Sequence, residues 1–417
     1  MNATSLRILV GLVIGLAAGA WLNATGSGAL PTLLAFARPV GKLWLDALTM
    51  TVVPLVFSLL VTGVASTVGE SRRAAARSMA WFGILLLAAA AVGAIAATAA
   101  LELWPIGAGA RPVVAATPLQ APRAADWLTG FIPSNPIKAA ADTAITPLVV
   151  FALLFGFAAT RIDERLRLSL VGLFRAVAET MLVIVHWVLL AGPIGVLALA
   201  FVVSATLGAG AVGALAQYVA LVCAVGLLVT LLAYGVAAAG GRLSPLRFGR
   251  VALPAQVVAL STQSSLASLP AMIEAAPGLG VSEDQAAVVL PMAVSVFRAA
   301  SVAMNLAVAV YLAHFHGVAV GPAALATGVV VGAVVSLAAV GLPAQVSFFA
   351  STAPICLAIG APIGLLPILL AVESVPDIFR TVGNVTSDLA VTRLAARSRF
   401  AAERTAGGPD DLEGGRS

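Results

Sequence analysis

The sequence predicts an all-α integral membrane protein with eight transmembrane helices and two re-entrant helical hairpins. Three observations lead there. Of the 417 residues, 61% are hydrophobic and 10% charged, against about 25% charged in a soluble domain. The apolar runs are many and long, near the ~20 residues a helix needs to cross a bilayer, and only helices or closed barrels cross one. The arginines gather in short segments between these runs, where they set orientation. The net charge of +5 is therefore a topological signal. It points to a lipid bilayer as the surroundings and to no nucleic-acid partner. Cys223 and Cys356 sit far apart in apolar runs and read as packing residues, with no metal site or disulfide framework.

The first span is expected over about Leu6–Trp21, with Gly11, Gly15 and Gly19 in a row suited to close helix packing. The row could serve a neighbouring helix of the same chain or another subunit. Although Ile8–Leu22 follows Arg7 as a signal peptide would, it reads as a retained span. Span 2 is expected over Leu43–Val68, and a loop over Glu70–Arg77 carries Arg72, Arg73 and Arg77. Span 3 covers Ser78–Leu101. A proline-rich excursion follows from Glu102 to about Ala141, returning to the bilayer in broken helical pieces. Span 4 ends near Thr160, before Arg161, Arg165 and Arg167. Span 5 is read over Glu179–Ser204 and span 6 over Val212–Ala239, before Arg242, Arg247 and Arg250. Arginine-rich segments thus follow spans 2, 4 and 6 and the last helix. That parity places both termini in the cytoplasm.

Helix counting fails in the second half. Val251–Ile273 is interrupted by Ser261-Thr262-Gln263-Ser264-Ser265 and Pro270, and Ala323–Gly360 by Gly341-Leu342-Pro343. Each reads as two half-helices meeting at a polar tip. Such backbone is tolerated at membrane depth only where it is buried in protein or lines a cavity. Paired interrupted segments are the best sequence pointer to a transporter binding site. Each is followed by a full span, Val289–His314 and Leu365–Ala396, so the unit occurs twice. The tail beyond Arg399 is short, charged and glycine-rich, and reads as disordered.

The last span carries the chemistry. Asp377, Arg380, Thr381, Asn384 and Asp388 fall at offsets of 0, 3, 4, 7 and 11, which is one helical face. An ionisable group at membrane depth costs at least ~2.5 kcal/mol. A row of them faces either a structural partner or a small zwitterionic or anionic ligand. Glu373, one turn earlier, is a protonatable carrier candidate. His186, His314 and His316 carry no ligand-set spacing, and no nucleophile–base pair suggests an enzyme.

Five stretches, in order, resemble the glutamate transporter family, the dicarboxylate/amino acid:cation symporters. They are WLDALTMTVVPLVFSLLVTGVAS (44–66), FIPSNPIKAAADTAITPLVVFALLFGFA (131–158), GPIGVLALA (192–200), STQSSLASLP (261–270) and DIFRTVGNVTSD (377–388). The resemblance runs from span 1 to about Arg397 and is of a divergent, bacterial-type member. It implies a homotrimer in the bacterial inner membrane working by an elevator motion. The division it implies is 1–77 as scaffold spans 1–2, 78–101 as span 3 of a transport domain, and 102–206 as the excursion with scaffold spans 4–5. Residues 207–397 hold span 6, both hairpins and spans 7 and 8 of the transport domain, and 398–417 the tail.

For the site, the resemblance implies that Asp377 holds a substrate amino group and Arg380 its side-chain carboxylate, a fit for a planar guanidinium. Thr381, Asn384, Ser301 and the hairpin-tip Ser264 and Ser265 also contact substrate. Asp388, with Asn384, stands on the cation side. The expected substrate is glutamate, aspartate or a C4-dicarboxylate, with no cofactor beyond a coupling ion, H⁺ or Na⁺. The chain departs from the family at 297–301, where Phe297-Arg298-Ala299-Ala300-Ser301 replaces a cation-binding Asn-Met-Asp-Gly-Thr, and at Leu86–Ala90, where hydroxyls are expected. Phenylalanine and alanine offer a hard cation no side-chain oxygen. Reduced sodium sites and proton coupling are therefore expected, with Arg298 either a structural partner of the acids or a stand-in for the cation. The alternative is an uncoupled receptor or channel-like protein on the same scaffold.

Overall fold

A computed structural model describes residues 3–65, 72–107, 132–208, 210–338 and 344–406, and among them the chain is helical throughout. Six stretches are long and apolar enough to cross a membrane: 7–24, 30–62, 79–103, 164–190, 210–239 and 285–315. Four shorter apolar helices join them, at 145–159, 192–206, 322–337 and 348–359. The six are counted by length and composition among the described residues, and the last helix is too polar to be one of them. The protein is a multi-pass membrane protein.

Helix α1 (Ala3–Ala24) packs along α8 (Gly192–Leu207). The glycine row explains the approach. A β-carbon on Gly11, Gly15 or Gly19 would lie 2.4, 2.5 or 2.6 Å from the carbonyl oxygens of Pro193, Leu197 and Phe201. The row therefore serves a neighbour in the same chain. Span 2 is two helices, α2 (Leu30–Thr49) and α3 (Val52–Ala65). The Trp44 indole on α2 donates to the Val188 carbonyl at 2.7 Å.

Helix α4 (Arg72–Leu103) begins at the arginines read as a loop, so 72–77 are helical; residues 66–71 lie outside the described part, as do 108–131 of the excursion. Helix α5 (Pro136–Ala141) starts where Asn135 accepts from the amides of Ile137 and Lys138 with Pro136 in the first turn, an arrangement that stops and restarts the chain. Helix α6 (Ile145–Ala159) and α7 (Glu164–Leu190) both pack on α3. The span read over 179–204 straddles two helices. It breaks at Ala191 because Pro193 opens α8 and has no N–H to continue α7's ladder. The helix also starts fifteen residues earlier than read (179 against 164), capped by Asp163.

Helix α9 (Gly210–Ala239) packs on α13 (Ala299–Phe315) and on α17 (Ser374–Ala406), and α4 packs on α13. Gly93 makes the last contact possible: its β-carbon would meet Ala303 backbone at 2.3 Å. Helices α10 (Pro245–Thr262) and α11 (Ser265–Ala275) fold against each other as a hairpin. Gln263 closes α10 in the left-handed region at φ 53° and ψ 34°, and Ser264 caps α11 by accepting from the Ala267 amide at 3.2 Å. A short 3₁₀ turn (Ala276–Leu279) leads to α12 (Glu283–Val296). Helices α14 (Pro322–Ala338) and α15 (Ala344–Ile359) also pack on each other; the tip expected at Gly341-Leu342-Pro343 lies outside the described residues. Helix α16 (Leu366–Val372) ends at Glu373, where α17 begins. The last span is thus broken as well. Residues 398–406, read as tail, continue α17, and 407–417 lie outside the described part.

Candidate functional site

The polar residues converge where two helix breaks meet. Between α12 and α13, Phe297 and Arg298 leave helical geometry (φ/ψ −94°/84° and −106°/62°). That break leaves the first amides of α13 without partners in their own helix. Asn384 on α17 supplies them: its Oδ1 accepts from the amides of Ala300 at 3.0 Å and Ser301 at 3.2 Å. Its Nδ2 donates to Ser301 Oγ at 2.8 Å. Asn384 is a cap lent by another helix.

The second break, at Glu373, sits two turns before Arg380. Side chains on a helix lean toward its N-terminus, so Arg380 reaches back along α17. Its Nη2 donates to Glu373 Oε1, and its Nε lies 3.7 Å from Asp377 Oδ1. Its Nη1 donates across to Asn305 Oδ1 at 2.7 Å and to the Ser301 carbonyl at 3.3 Å. The guanidinium also lies 6.0 Å from the centre of the Phe348 ring on α15. Asn305 passes the link on, donating to Ser351 Oγ of α15 at 2.9 Å. Glu373 accepts from the Tyr218 hydroxyl on α9 at 3.1 Å. Glu373, Asp377 and Arg380 are 4%, 7% and 5% exposed, so little water weakens these charges.

The structure therefore brings together Asp377, Arg380, Asn384 and Ser301 from the expected set. Thr381 is buried beside them, with its hydroxyl turned to the Asp377 carbonyl at 2.8 Å. Ser264 and Ser265 sit at the first hairpin tip, both partly exposed. That tip is tied to the start of α17 by Gln263 Nε2, which donates to the Ser374 carbonyl at 3.1 Å.

Asp388 is fully buried, and among the described residues neither of its carboxylate oxygens has a hydrogen-bond partner. Arg298, partly exposed at the break, interacts electrostatically with both Asp377 and Asp388. Phe297 is buried and stacks on Phe82 of α4, ring centres 5.3 Å apart and planes at 21°. Leu86 and Ala90 are buried and Ala89 nearly so, on the same helix. Phe297 thus stands, packed on an aromatic ring, where an oxygen ligand was expected. Among the described residues, no cluster of His, Cys, Asp and Glu could hold a metal.

Sequence reasoning missed Tyr218, Asn305 and Ser351 and did not place Glu373 in the substrate set. A signal existed for two of them. Asn305 falls one turn after Ser301 in an otherwise apolar helix, and Tyr218 is one of three tyrosines in the chain.

The model of the sodium:dicarboxylate symporter family matches residues 5–398. Among curated relatives, the proton/glutamate-aspartate symporter of Escherichia coli (strain K12) is 27% identical over 406 residues, covering 93% of this chain and 91% of its own. The proton/sodium-glutamate symport protein of Bacillus subtilis (strain 168) is 26% identical, with 92% and 89% covered. C4-dicarboxylate transport protein 2 of Bradyrhizobium sp. (strain ORS 278) is 27% identical, with 69% and 63% covered.

Proposed function

Because the chain belongs to the sodium:dicarboxylate symporter family, we propose that it takes up an acidic amino acid, glutamate or aspartate, or a C4-dicarboxylate, across the bacterial inner membrane in symport with protons. The family is one of symporters, so the chain is a transporter and not an enzyme. One observation carries the substrate reading: a buried guanidinium with Asp377 beside it, at 3.7 Å on the same helix. A cation and an anion one turn apart match a substrate bearing a carboxylate and an ammonium group. Asp377 favours an amino acid over a plain dicarboxylate. Ser264 and Ser265, at the start of α11, would serve the α-carboxylate, where a helix N-terminus favours an anion.

Proton coupling is favoured by Phe297 on Phe82 and by the alanines of α4, which give sodium no side-chain oxygen. Arg298, acting on Asp377 and Asp388, would offset the acidic row in place of a metal cation. The Escherichia coli relative is named for protons and the Bacillus subtilis one for protons and sodium. The working motion is an elevator: α4 and α9–α17 form the moving body, α1–α3 and α6–α8 the scaffold, and three copies assemble through the scaffold.

The test is a panel of aspartate, glutamate and succinate, each assayed by thermal shift with and without Na⁺ at acidic and alkaline pH. A ligand that binds the folded state raises its melting temperature by mass action. Aspartate or glutamate should stabilise the protein without Na⁺, and more at acidic pH. Stabilisation that appears only with Na⁺ would overturn the coupling, and none with any of the three would overturn the substrate class.

A further inference from the structure

Arg380 is the substrate-facing cation of the reading above, yet in this structure it is already paired with a carboxylate of the protein. Glu373 Oε1 accepts from its Nη2, and the pair is sealed from water. The substrate's carboxylate needs the same fork, because Nη1 is spoken for by Asn305 and the Ser301 carbonyl. A guanidinium binds one carboxylate bidentately. Glu373 and an acidic substrate are therefore rivals for one edge of Arg380.

Among the described residues, Arg380 is the cation that acts on Glu373. The titratable or charged groups that interact with it are Arg380 and Asp377 on α17, and Tyr218 and Cys223 on α9. Asp377 repels it, and Tyr218 offers a hydroxyl 3.1 Å from Oε2. Breaking a buried ion pair while leaving one charge behind is strongly unfavourable. A proton on the carboxyl removes that cost. The neutral acid can then donate its O–H to the Tyr218 oxygen.

We propose that Glu373 is a positioning residue that occupies Arg380 between transport cycles and, when an acidic substrate takes its place, leaves as the neutral acid, so that one proton is bound with each substrate. The step balances. The Arg380–Glu373 pair breaks and the Arg380–substrate carboxylate pair forms. One proton from water adds to a Glu373 oxygen, and the buried cluster gains one carboxylate and one proton together. The proposal rests on the transporter reading and adds to it the seat of the coupling proton.

The experiment is calorimetric titration of the full-length protein with L-aspartate in two buffers of different ionisation enthalpy, over a range of pH. For the native protein, about one proton should be taken up per aspartate, and affinity should rise about tenfold for each pH unit of acidification. In Glu373→Gln, which keeps shape and neutrality, aspartate should still bind, with no proton uptake and a flat pH profile. Uptake of a proton by the Gln variant, as in the native protein, would overturn the proposal. So would a native protein that binds aspartate with no proton uptake, while leaving the transporter reading intact. If the native protein binds neither aspartate, glutamate nor succinate, the transporter reading itself fails. Should Glu373→Gln not fold, Glu373→Asp decides: a shorter carboxylate should keep the proton uptake, and pH-independent binding there would overturn the proposal.

Discussion

Arg380 is held by oxygens from the break before α17, from α17 itself and from α13, and each contact restrains one edge of its fork. Replacing it with alanine removes the proposed substrate cation and leaves Glu373 and Asp377 buried without it. Arg380→Ala should abolish aspartate uptake in cells while the protein still reaches the membrane and keeps its oligomeric state by cross-linking; unchanged uptake would refute the site. Arg380→Lys keeps the charge and loses the fork. At about 1.5–3 kcal/mol per charged hydrogen bond, its aspartate affinity should fall at least tenfold, read by the same titration. The face containing Asp377, Arg380, Thr381, Asn384 and Asp388 was legible because a helix repeats every 3.6 residues. Which of them are engaged within the protein was not. Asn384 is engaged with α13 and Thr381 with its own helix turn. The partners that fix Arg380 and Glu373 come from 75 and 155 residues away, and local periodicity carries no such distances.

At the scale of elements, the breaks organise the protein. Asn384→Ala would strip two buried amides of α13 of their acceptor. It should cost about 1–3 kcal/mol, visible as a lower melting temperature in detergent even without substrate, whereas a side chain that only touched substrate would leave that temperature unchanged. Gly15→Ala places a methyl 2.5 Å from the Leu197 carbonyl. Overpacking of this kind costs about 1–3 kcal/mol, and the same melting assay should record it. The glycine row announced close packing, and only the structure could say that α8 was the neighbour. The hairpin at Gln263–Ser264 was legible from its run of polar residues. The break at Ala191 was hidden because the chain stays apolar on both sides, and Pro193 inside an apolar run reads equally as a kink or as a new start.

At the scale of the whole molecule, one buried apolar cluster runs from α1 through α3 and α8 to α13 and α16. Helices α1, α2 and α8 pack together, α3 packs with α6 and α7 and also against α14, and α4, α9 and α17 pack around α13. The match over residues 5–398 bears out the resemblance carried by five separate stretches. In the proposed reading, Asp377 and Arg380 serve the substrate, while Phe297 and Ala299 stand where the family resemblance implies cation ligands. Substrate chemistry and coupling chemistry can therefore be separated by experiment. The direct test is uptake of labelled aspartate into proteoliposomes, with an inward proton gradient or an inward sodium gradient imposed in turn. The predicted result is accumulation above the external concentration with the proton gradient alone. Accumulation that requires sodium and ignores the proton gradient would contradict it.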